Sequence, residues 1–331
     1  MKIIVYGVHD GEPESLKNYQ ERTGIELTLI KDLLTADTVD QANGFTGICI
    51  KQSLAIDDEI IYQKLTAFGI KQIALRTAGF DIINFEFAKK YQLLITNVPA
   101  YSPNAVAENA LAHIMFLLRK MYLSQYRVRN NNFTWDGLCV PEIRSLTIGI
   151  IGVGRIGGVL ASFLSALQAK VIGYDIVINQ EENPLVEYQN SLEELLNKAD
   201  IVSIHTPANE TTINMINRTT LEMMKDGAYL INTARGSIVN SKDLIVALRN
   251  KKLAGAGLDT LDCEVGYFEH DYANQEITSN EFKELLAMEN VLITPHISFF
   301  TKTALQNMVD ISLDSVVDIL ENNSSKNQII K

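Results

Sequence analysis

Cysteine is scarce in this chain of 331 residues, which contains only Cys49, Cys139 and Cys263. Their number is odd, they lie far apart, and no CxxC or paired His/Cys spacing occurs. The sequence therefore predicts neither a disulfide framework nor a metal site. A protein of a reducing compartment is expected, and the cytoplasm fits best.

Long apolar runs and an excess of basic residues are also missing. No uncharged apolar stretch reaches the roughly 18 residues that a membrane-spanning helix needs. Residues 1–8 begin like a β-strand and lack the longer apolar run and the cleavage site of a signal peptide. The 29 Lys and Arg are outnumbered by 40 Asp and Glu, which gives a formal charge of −11. Neither nucleic acid nor an anionic membrane is therefore an expected partner.

Apolar residues, in contrast, are plentiful enough for two cores. They make up 47% of the chain, whose length exceeds the usual size of one domain. Short apolar runs typical of β-strands recur, and most are separated by amphipathic helical patterns, which predicts α/β units with parallel sheets. The predicted strands are Ile3–Tyr6, Gly47–Ile50, Gln72–Leu75, Leu94–Asn97, Thr147–Ile151, Val171–Tyr174, Ile201–Ile204, Ala228–Asn232, Ala256–Leu258 and Val291–Ile293.

Two strongly periodic helical patterns mark the expected domain boundaries. One begins near Ser102-Pro103-Asn104, and the other begins at about Thr301 and leads to a polar tail, Glu321–Lys331. Proline is well tolerated in the first turn of a helix. The sequence predicts that residues 1–100 and 300–331 form one domain and that residues 101–299 form a second domain inserted into it.

A GxGxxG motif, Gly152 to Gly157, follows the predicted strand Thr147–Ile151 and opens a helical pattern. Glycines at this spacing permit a tight turn and close approach of a pyrophosphate to a helix N-terminus. The next strand ends in Asp175, eighteen positions after Gly157, where a carboxylate can accept hydrogen bonds from ribose hydroxyls. The sequence therefore predicts a dinucleotide site rather than a plain turn. None of the three residues after Asp175 is Arg or Lys, which favours NAD over NADP.

Three residues of a possible reacting site follow the ends of later strands: Arg235, Glu264 and His296. Ligands of open parallel sheets bind at these ends. Arg235 could hold a carboxylate through two parallel hydrogen bonds. His296 could transfer a proton, and Glu264 could orient its imidazole. Taken alone, the Arg is an ordinary loop residue and the Glu a member of an acidic loop; their shared location favours the functional interpretation.

These motifs resemble the D-isomer-specific 2-hydroxyacid dehydrogenases over essentially the whole chain. The segments that carry the resemblance are Gly152–Gly157 with Asp175, Ile231–Gly236, Gly257–Asp259 with Glu264, and Thr294–His296. Two further segments, Arg76–Asp81 and Asn97–Glu108, are similar to the branch that acts on D-lactate and D-2-hydroxyisocaproate. In this family a Rossmann-type NAD domain is inserted into a flavodoxin-like substrate domain, both doubly wound parallel sheets.

The resemblance implies an NAD-dependent enzyme, most simply one that reduces pyruvate to D-lactate as a homodimer. Branched 2-oxo acids are the alternative substrates, and a non-catalytic NAD-sensing interaction protein is the alternative from another class. The implied catalytic residues are Arg235, Glu264 and His296; the implied substrate-binding residues are Ala78, Gly79, Tyr101 and Phe299; the implied NAD contacts are Gly152, Gly154, Arg155, Ile156, Gly157, Asp175, Thr206, Pro207, Thr233, Ala234 and Asp259.

His9 and Lys51 depart from the pattern of lactate-acting relatives, which commonly carry Arg and an aromatic residue at these positions. The reaction type is therefore better defined by the sequence than the substrate side chain.

Overall fold

The computed structural model describes residues 1–329 and divides into two compact units. The first contains Met1–Ser102 and the segment that begins at Phe300, and the second contains Pro103–Phe299. Each unit has its own parallel sheet, which confirms the predicted α/β class. Ile330 and Lys331, the last residues of the predicted tail and of the predicted first domain, lie outside the described residues.

The first unit contains a five-stranded sheet in the order β2-β1-β3-β4-β5, with every pairing parallel. This is the doubly wound order of flavodoxin-like domains. The strands are β1 Lys2–Tyr6, β2 Glu26–Leu29, β3 Gly47–Ile50, β4 Gln72–Leu75 and β5 Leu94–Thr96. The helices between them are α1 Pro13–Thr23, α2 Glu59–Ala67 and α3 Phe85–Lys90, with a short 3-10 turn at Val39–Ala42.

The central strands β3 and β4 are buried along their whole length, as expected for a parallel sheet covered on both faces. Strand β2 was not predicted from the sequence. It lies at the edge of the sheet, and only Leu27 of its four residues is buried. An edge strand of this kind carries too little apolar signal to be recognised.

The second unit contains seven parallel strands in the order β12-β11-β10-β9-β6-β7-β8. The chain begins in the middle at β6, adds β7 and β8 on one side, and then returns to add β9 to β12 on the other. This is the Rossmann order, whose switch point lies between β6 and β9. The strands are β6 Thr147–Ile151, β7 Lys170–Tyr174, β8 Glu187–Tyr188, β9 Ile201–Ile204, β10 Ala228–Asn232, β11 Leu253–Leu258 and β12 Val291–Ile293.

The helices of this unit cover both faces of the sheet. They are α4 Pro103–Leu118, α5 Met121–Arg129, α6 Arg155–Ala166, α7 Leu192–Lys198, α8 Arg218–Met223, α9 Ser241–Arg249 and α10 Asn280–Leu286, with 3-10 turns at Ile143–Ser145 and Gly236–Ile238. Helix α6 buries Gly157, Leu160, Ala161 and Leu164. Leu167 follows the last turn of this helix and is exposed.

The last helix, α11 Lys302–Asn322, belongs to the first unit and packs against β3, β4 and α1. Thr301 caps it by accepting a hydrogen bond from the Ala304 N–H. Beyond this helix, Gln328 pairs with Thr96 at the edge of the sheet. Within residues 1–329, no helix has the length and apolar character to span a membrane.

Candidate active site

The strand order of the second unit brings the predicted site residues to one edge of its sheet. Parallel strands all end at the same edge, and β10, β11 and β12 are direct neighbours. Read along this edge from β12 to β7, the predicted residues after each strand are His296, Asp259 with Glu264, Arg235, Thr206 with Pro207, Gly152–Gly157 and Asp175.

The glycine loop has the geometry of a dinucleotide site. Gly152 adopts φ of 89°, and a Cβ on it would meet the carbonyl of His205 at 2.7 Å. A Cβ on Gly157 would lie 2.1 Å from the carbonyl oxygen of Gly152. These two glycines are required by packing within the protein. Gly154 differs, because a Cβ there would meet nothing within 4 Å.

Gly154 is also the N-cap of helix α6 and provides no capping side chain. A helix N-terminus carries a partial positive charge, and the open space beside Gly154 leaves room for a phosphate group there. Arg155 and Ile156 form the start of this first turn.

Asp175 lies beside the same loop. Its Oδ2 accepts a hydrogen bond from Val153 N–H at 2.7 Å, and its Oδ1 accepts one from Val177 N–H at 2.9 Å. Each carboxylate oxygen retains acceptor capacity for a hydroxyl group. Nearby Asn183, which the sequence analysis missed, donates to the carbonyl of Val153 at 3.2 Å and braces the loop.

A buried polar atom supports the same assignment. Thr233 Oγ1, after strand β10, is buried and has no hydrogen-bond partner within the described residues. Buried hydroxyls are normally satisfied, so this one has the capacity for a hydrogen bond to a ligand or to water. The residues after strands β6, β7, β9 and β10 thus fit a dinucleotide.

Arg235 is half-buried and lies in the loop between β10 and the turn Gly236–Ile238. Buried Asn232 shapes this loop by accepting from Ala234 N–H at 3.1 Å and donating to the Arg235 carbonyl at 3.0 Å. Gly236 allows the loop to touch the segment before Glu264, because a Cβ there would lie 2.1 Å from Leu261.

His296 and Glu264 form a hydrogen-bonded pair, with 3.0 Å between His296 Nδ1 and Glu264 Oε1. The other carboxylate oxygen, Oε2, accepts from Leu261 N–H at 2.6 Å. The side chains are 39% and 20% exposed, respectively, so solvent or a ligand can reach the imidazole. With Nδ1 facing the carboxylate, Nε2 is the nitrogen available for proton transfer.

The backbone of His296 has φ of 54°, a left-handed conformation that is unfavourable for a residue with a side chain. Its N–H donates to the Asp259 carbonyl at 2.9 Å. Strain of this kind persists only where the surroundings enforce it, and it is concentrated at functional sites.

The carboxylate of Asp259 holds this strained loop in place. Asp259 is fully buried, its Oδ1 accepts from Thr294 Oγ1 and from Ile297 N–H at 3.0 Å, and its Oδ2 accepts from Ser298 N–H at 2.9 Å. The structure therefore shows a positioning contact to the His296 loop. The direct NAD contact implied by the resemblance stays a prediction.

Helix α4 extends this network and was not recognised as part of the site. Asn109 donates to Ser298 Oγ at 2.7 Å, and buried His113 contacts Thr294 Oγ1 through Nε2 at 3.0 Å. Burial lowers the pKa of His113, although the charge of Asp259 opposes the shift. His113 is therefore a neutral structural partner, and no local sequence pattern connects residues so far apart in the chain.

The other predicted substrate residues are divided between the two units. Phe299 lies beside His296, with 6.4 Å between ring centroids. In the first unit, Ala78 and Gly79 follow β4, and their carbonyls accept hydrogen bonds from Asn97 and Thr77, both at 2.7 Å. The carbonyl of Tyr101 accepts from Asn307 at 2.6 Å.

Comparison with known proteins agrees with this geometry. The profile of the D-isomer specific 2-hydroxyacid dehydrogenase, NAD binding domain, matches residues 111–298. The chain belongs to this family. It is 41% identical over 331 residues to a D-2-hydroxyacid dehydrogenase (NAD(+)) of Clostridioides difficile, and the match covers 99% of this chain and 100% of that protein.

Solved structures of family members superpose on the whole chain. A D-lactate dehydrogenase with NAD+ from Lactobacillus jensenii is 41% identical with a TM-score of 0.90, and the match covers 100% of both chains. A D-2-hydroxyisocaproate dehydrogenase is 34% identical with a TM-score of 0.92 over 99% of both chains. The family, the NAD cofactor and the class of NAD-dependent dehydrogenase predicted from the sequence are thereby confirmed, and a small molecule is the substrate.

Proposed function

We propose that this enzyme catalyses the reversible reduction of pyruvate to D-lactate with NADH. The observation that carries the proposal is the His296–Glu264 pair, in which Nδ1 is held at 3.0 Å and the imidazole remains accessible. Relatives named D-lactate dehydrogenase match nearly the full length of the chain, among them one from Staphylococcus aureus at 36% identity over 329 residues.

Bound NADH would supply a hydride to the carbonyl carbon of the substrate. His296 Nε2 donates a proton to the oxygen of that carbonyl during reduction and accepts one from the hydroxyl during oxidation. Glu264 keeps the ring oriented and balances the positive charge of the protonated imidazole. Asp259 positions the loop that carries His296.

Arg235 binds the carboxylate of the substrate and polarises the adjacent carbonyl. A guanidinium group presents two parallel donors that match a carboxylate, so it fixes orientation as well as charge. The N–H groups of Ala78 and Gly79 assist in binding this carboxylate. Tyr101 and Phe299 border the space for the substrate side chain.

The second unit is the NAD-binding domain in this proposal, and the first is the substrate domain. The NAD contacts are the glycine loop with its helix N-terminus, the ribose acceptor Asp175 and the residues after β9 and β10: Gly152, Gly154, Arg155, Ile156, Gly157, Thr206, Pro207, Thr233, Ala234 and Asp259.

A branched 2-oxo acid is the second candidate substrate. The D-2-hydroxyisocaproate dehydrogenase has a TM-score of 0.92 to this chain, as high as the lactate-acting structures. Phe299 beside His296 favours the smaller substrate, because an aromatic ring leaves less space for a branched side chain.

We further propose a cytoplasmic homodimer. The cysteine pattern supports the compartment, because an odd number of widely spaced cysteines is typical of proteins in a reducing environment. Helix α4 buries its apolar face within its own unit, whereas α5 and the following loop expose Tyr122, Tyr126, Val128, Phe133 and Trp135, the last at 86%. A clustered apolar surface of this kind is typical of subunit contacts. Light scattering after size-exclusion chromatography tests it: a mass near 74 kDa, twice the 36.9 kDa of one chain, supports the dimer.

The decisive experiment follows NADH oxidation on addition of pyruvate and then determines the configuration of the lactate with enantiomer-specific lactate oxidases. We expect rapid oxidation and D-lactate alone. A faster reaction with 2-oxoisocaproate would transfer the enzyme to the branched-acid subgroup. NADH binding without oxidation by any 2-oxo acid would refute the catalytic proposal.

A further inference from the structure

Asn183 lies in the segment between β7 and β8 and contacts the backbone of the glycine loop. Its Nδ2 donates a hydrogen bond to the carbonyl of Val153 at 3.2 Å. Val153 is buried and stands between Gly152 and Gly154 in the GxGxxG motif. The nitrogen of the amide must face this carbonyl, because an amide oxygen in the same place would repel it. A side chain from outside the motif thus holds the backbone of the motif.

This contact fixes the orientation of one peptide group. The carbonyl of Val153 and the N–H of Gly154 belong to the same trans peptide, so they point in opposite directions. With the carbonyl held by Asn183, the N–H points away from Asn183. Within residues 1–329 this N–H donates no hydrogen bond, so it is free to bind a ligand. There is also room beside Gly154, where a Cβ would meet nothing within 4 Å.

The N–H of Val153 is held as well, since it donates to Asp175 Oδ2 at 2.7 Å. One acceptor and one donor, both from side chains, therefore fix the peptides before and after Val153. If the peptide after Val153 turned over, its carbonyl oxygen would take the place of the Gly154 N–H. The negative end of the peptide dipole would then repel a pyrophosphate instead of attracting it. The hydrogen bond from Asn183 opposes that rotation.

A second observation links Asn183 to helix α6. A Cβ on Gly158 would lie 2.1 Å from Oδ1 of Asn183, and the three atoms nearest to this Cβ all belong to the side chain of Asn183. Gly158 follows the GxGxxG motif and lies within the helix, where alanine would be more favourable than glycine. The missing side chain at Gly158 therefore leaves the space that the amide of Asn183 occupies.

The segment that carries Asn183 is held by other hydrogen bonds. The N–H of Asn183 donates to the Asn179 carbonyl at 3.1 Å, and Gln180 Nε2 donates to the Val186 carbonyl at 3.2 Å. Val186 is buried and packs beside Gly173 of β7. We therefore expect the segment to keep its shape when only the amide of Asn183 is removed.

We propose that Asn183 is a positioning residue for NAD. It holds the Val153–Gly154 peptide with its N–H toward the pyrophosphate, and Gly158 provides the space that its amide needs. The inference rests on the proposed function, because that proposal places the pyrophosphate at the glycine loop. Asn183 acts through the backbone of the loop and does not itself bind the cofactor.

The test measures the Kd of NADH by fluorescence titration in the parent and in Asn183→Ala, and then the displacement of NADH by ADP-ribose and by adenosine. We expect the Kd of NADH and of ADP-ribose to rise about tenfold, the order expected when one hydrogen bond to a charged group is lost. Adenosine lacks the pyrophosphate, so its affinity should be unchanged. The KM for NADH should rise while kcat stays close to that of the parent.

Asn190→Ala is the matched control. Asn190 follows β8 and is exposed, and its Nδ2 donates to Glu194 at 3.2 Å rather than to the glycine loop. Removing this amide should leave the affinities for NADH, ADP-ribose and adenosine unchanged.

Gly158→Ala, alone and combined with Asn183→Ala, tests the geometry. Alone, the added methyl group should displace the amide of Asn183 and weaken NADH binding as Asn183→Ala does. In the Asn183→Ala background the same methyl group meets no amide, so the affinity for NADH should not fall further. The melting temperature without ligand should then rise, because alanine favours a helix more than glycine does.

Three results would overturn the inference. The first is a Kd of NADH in Asn183→Ala within about threefold of the parent. The second is an equal loss of adenosine affinity, which would mean that Asn183 only supports the segment after Asp175. The third is additive losses from Gly158→Ala and Asn183→Ala, because the two residues would then act separately.

Gly154→Val tests the proposed cofactor site by itself, because its side chain fills the open space beside the loop. If Gly154→Val binds NADH as the parent does, the pyrophosphate does not lie at the glycine loop, and this part of the proposed function fails together with the inference. If Gly154→Val loses NADH binding but Asn183→Ala does not, the site stands and only the role of Asn183 is refuted.

Discussion

The two units each contain a carboxylate paired with a basic side chain at nearly the same distance, but in opposite surroundings. Glu12 and Arg76 lie 3.1 Å apart and are both 0% exposed. Glu264 and His296 lie 3.0 Å apart and are 20% and 39% exposed. A buried guanidinium group keeps its proton permanently, whereas a solvent-accessible imidazole can exchange a proton. Exposure and the type of base, rather than distance, separate a structural pair from a catalytic one.

The electrostatics of Glu12 agree with a structural pair. Burial alone raises the pKa of its carboxyl, but the charge and hydrogen bonds of Arg76, assisted by Lys51 and His9, outweigh burial and lower the pKa below its ordinary value of 4.5. Glu12 therefore stays ionised in the folded protein throughout the neutral range.

The largest effect is expected from removing the basic residue, His296, of the accessible His296–Glu264 pair. His296→Gln keeps a polar side chain of similar size but removes the group that transfers the proton. We expect kcat/KM for pyruvate to fall by roughly 10²–10⁴-fold with little change in melting temperature. Steady-state kinetics and thermal unfolding check this together. A variant within threefold of the parent, or one that has lost the fold, would contradict the assignment.

Breaking the buried Glu12–Arg76 pair should have the reverse effect: a large loss of stability with little change in kcat/KM. Glu12→Gln leaves Arg76 buried without a counter-charge, so we expect the free energy of unfolding to fall by about 3–5 kcal/mol. Urea denaturation at pH 7 measures it. Glu59→Gln, which removes an exposed carboxylate paired with Lys90, is the control and should leave the free energy of unfolding nearly unchanged.

The same pair predicts a pH dependence. Because the folded pKa of Glu12 is lowered, its contribution to stability is complete above the unfolded value of 4.5 and is lost as the pH falls through the lower folded value. The parent should therefore lose stability below pH 4.5 more steeply than Glu12→Gln. Parallel stability curves for the two proteins in this range would show that the carboxylate does not titrate with folding.

A smaller effect is expected when only the charge of the accessible pair is removed. Glu264→Gln retains a hydrogen-bond acceptor for Nδ1 but no longer balances the positive charge of a protonated imidazole. We expect kcat/KM to fall about tenfold to a hundredfold, and reduction to suffer more than oxidation because only reduction starts from the charged ring. Measuring kcat/KM for reduction and for oxidation at pH 7 tests this expectation. Equal losses would indicate that Glu264 only orients the ring.

The contrast also explains which features could be predicted from the sequence. The His296–Glu264 pair and the glycine loop follow strand ends, and the strand ends can be recognised from local apolar runs. The edge strands β2 and β8 could not be predicted, because their apolar patterns are too short or too weak to be recognised. The network of Asp259 with Thr294, Ser298, Asn109 and His113 contains hydrogen bonds between residues up to 189 positions apart, a separation that local periodicity cannot detect.

The buried Arg76–Glu12 pair illustrates the same limit. Arg76 looks like part of a short motif after a strand, and nothing local shows that it pairs with Glu12, 64 positions earlier. His9 and Lys51 could be recognised as unusual for a lactate-acting enzyme, but only the fold shows that they touch. The sequence shows the type of each of these residues. Their burial and their hydrogen-bond partners can be known only from the folded sheet.

The smallest effect concerns a third carboxylate, Asp175, which extends the comparison because its described contacts are backbone N–H groups rather than a basic side chain. Its remaining acceptor capacity would serve the ribose hydroxyls, and its charge would repel a 2′-phosphate. In Asp175→Ala we expect NADH to lose about 1–2 kcal/mol of binding while NADPH loses little. The ratio of kcat/KM for the two cofactors measures this change.

Asp175→Asn distinguishes the two contributions of this carboxylate. The amide retains an oxygen that can accept hydrogen bonds but removes the charge, so it should improve NADPH more than it weakens NADH. If Ala and Asn variants both keep the parent's cofactor preference, the preference arises elsewhere in the site, and Asp175 only braces the glycine loop through Val153. Melting temperatures of the variants separate that outcome from a loss of loop structure, because a bracing role predicts destabilisation without any change in the ratio.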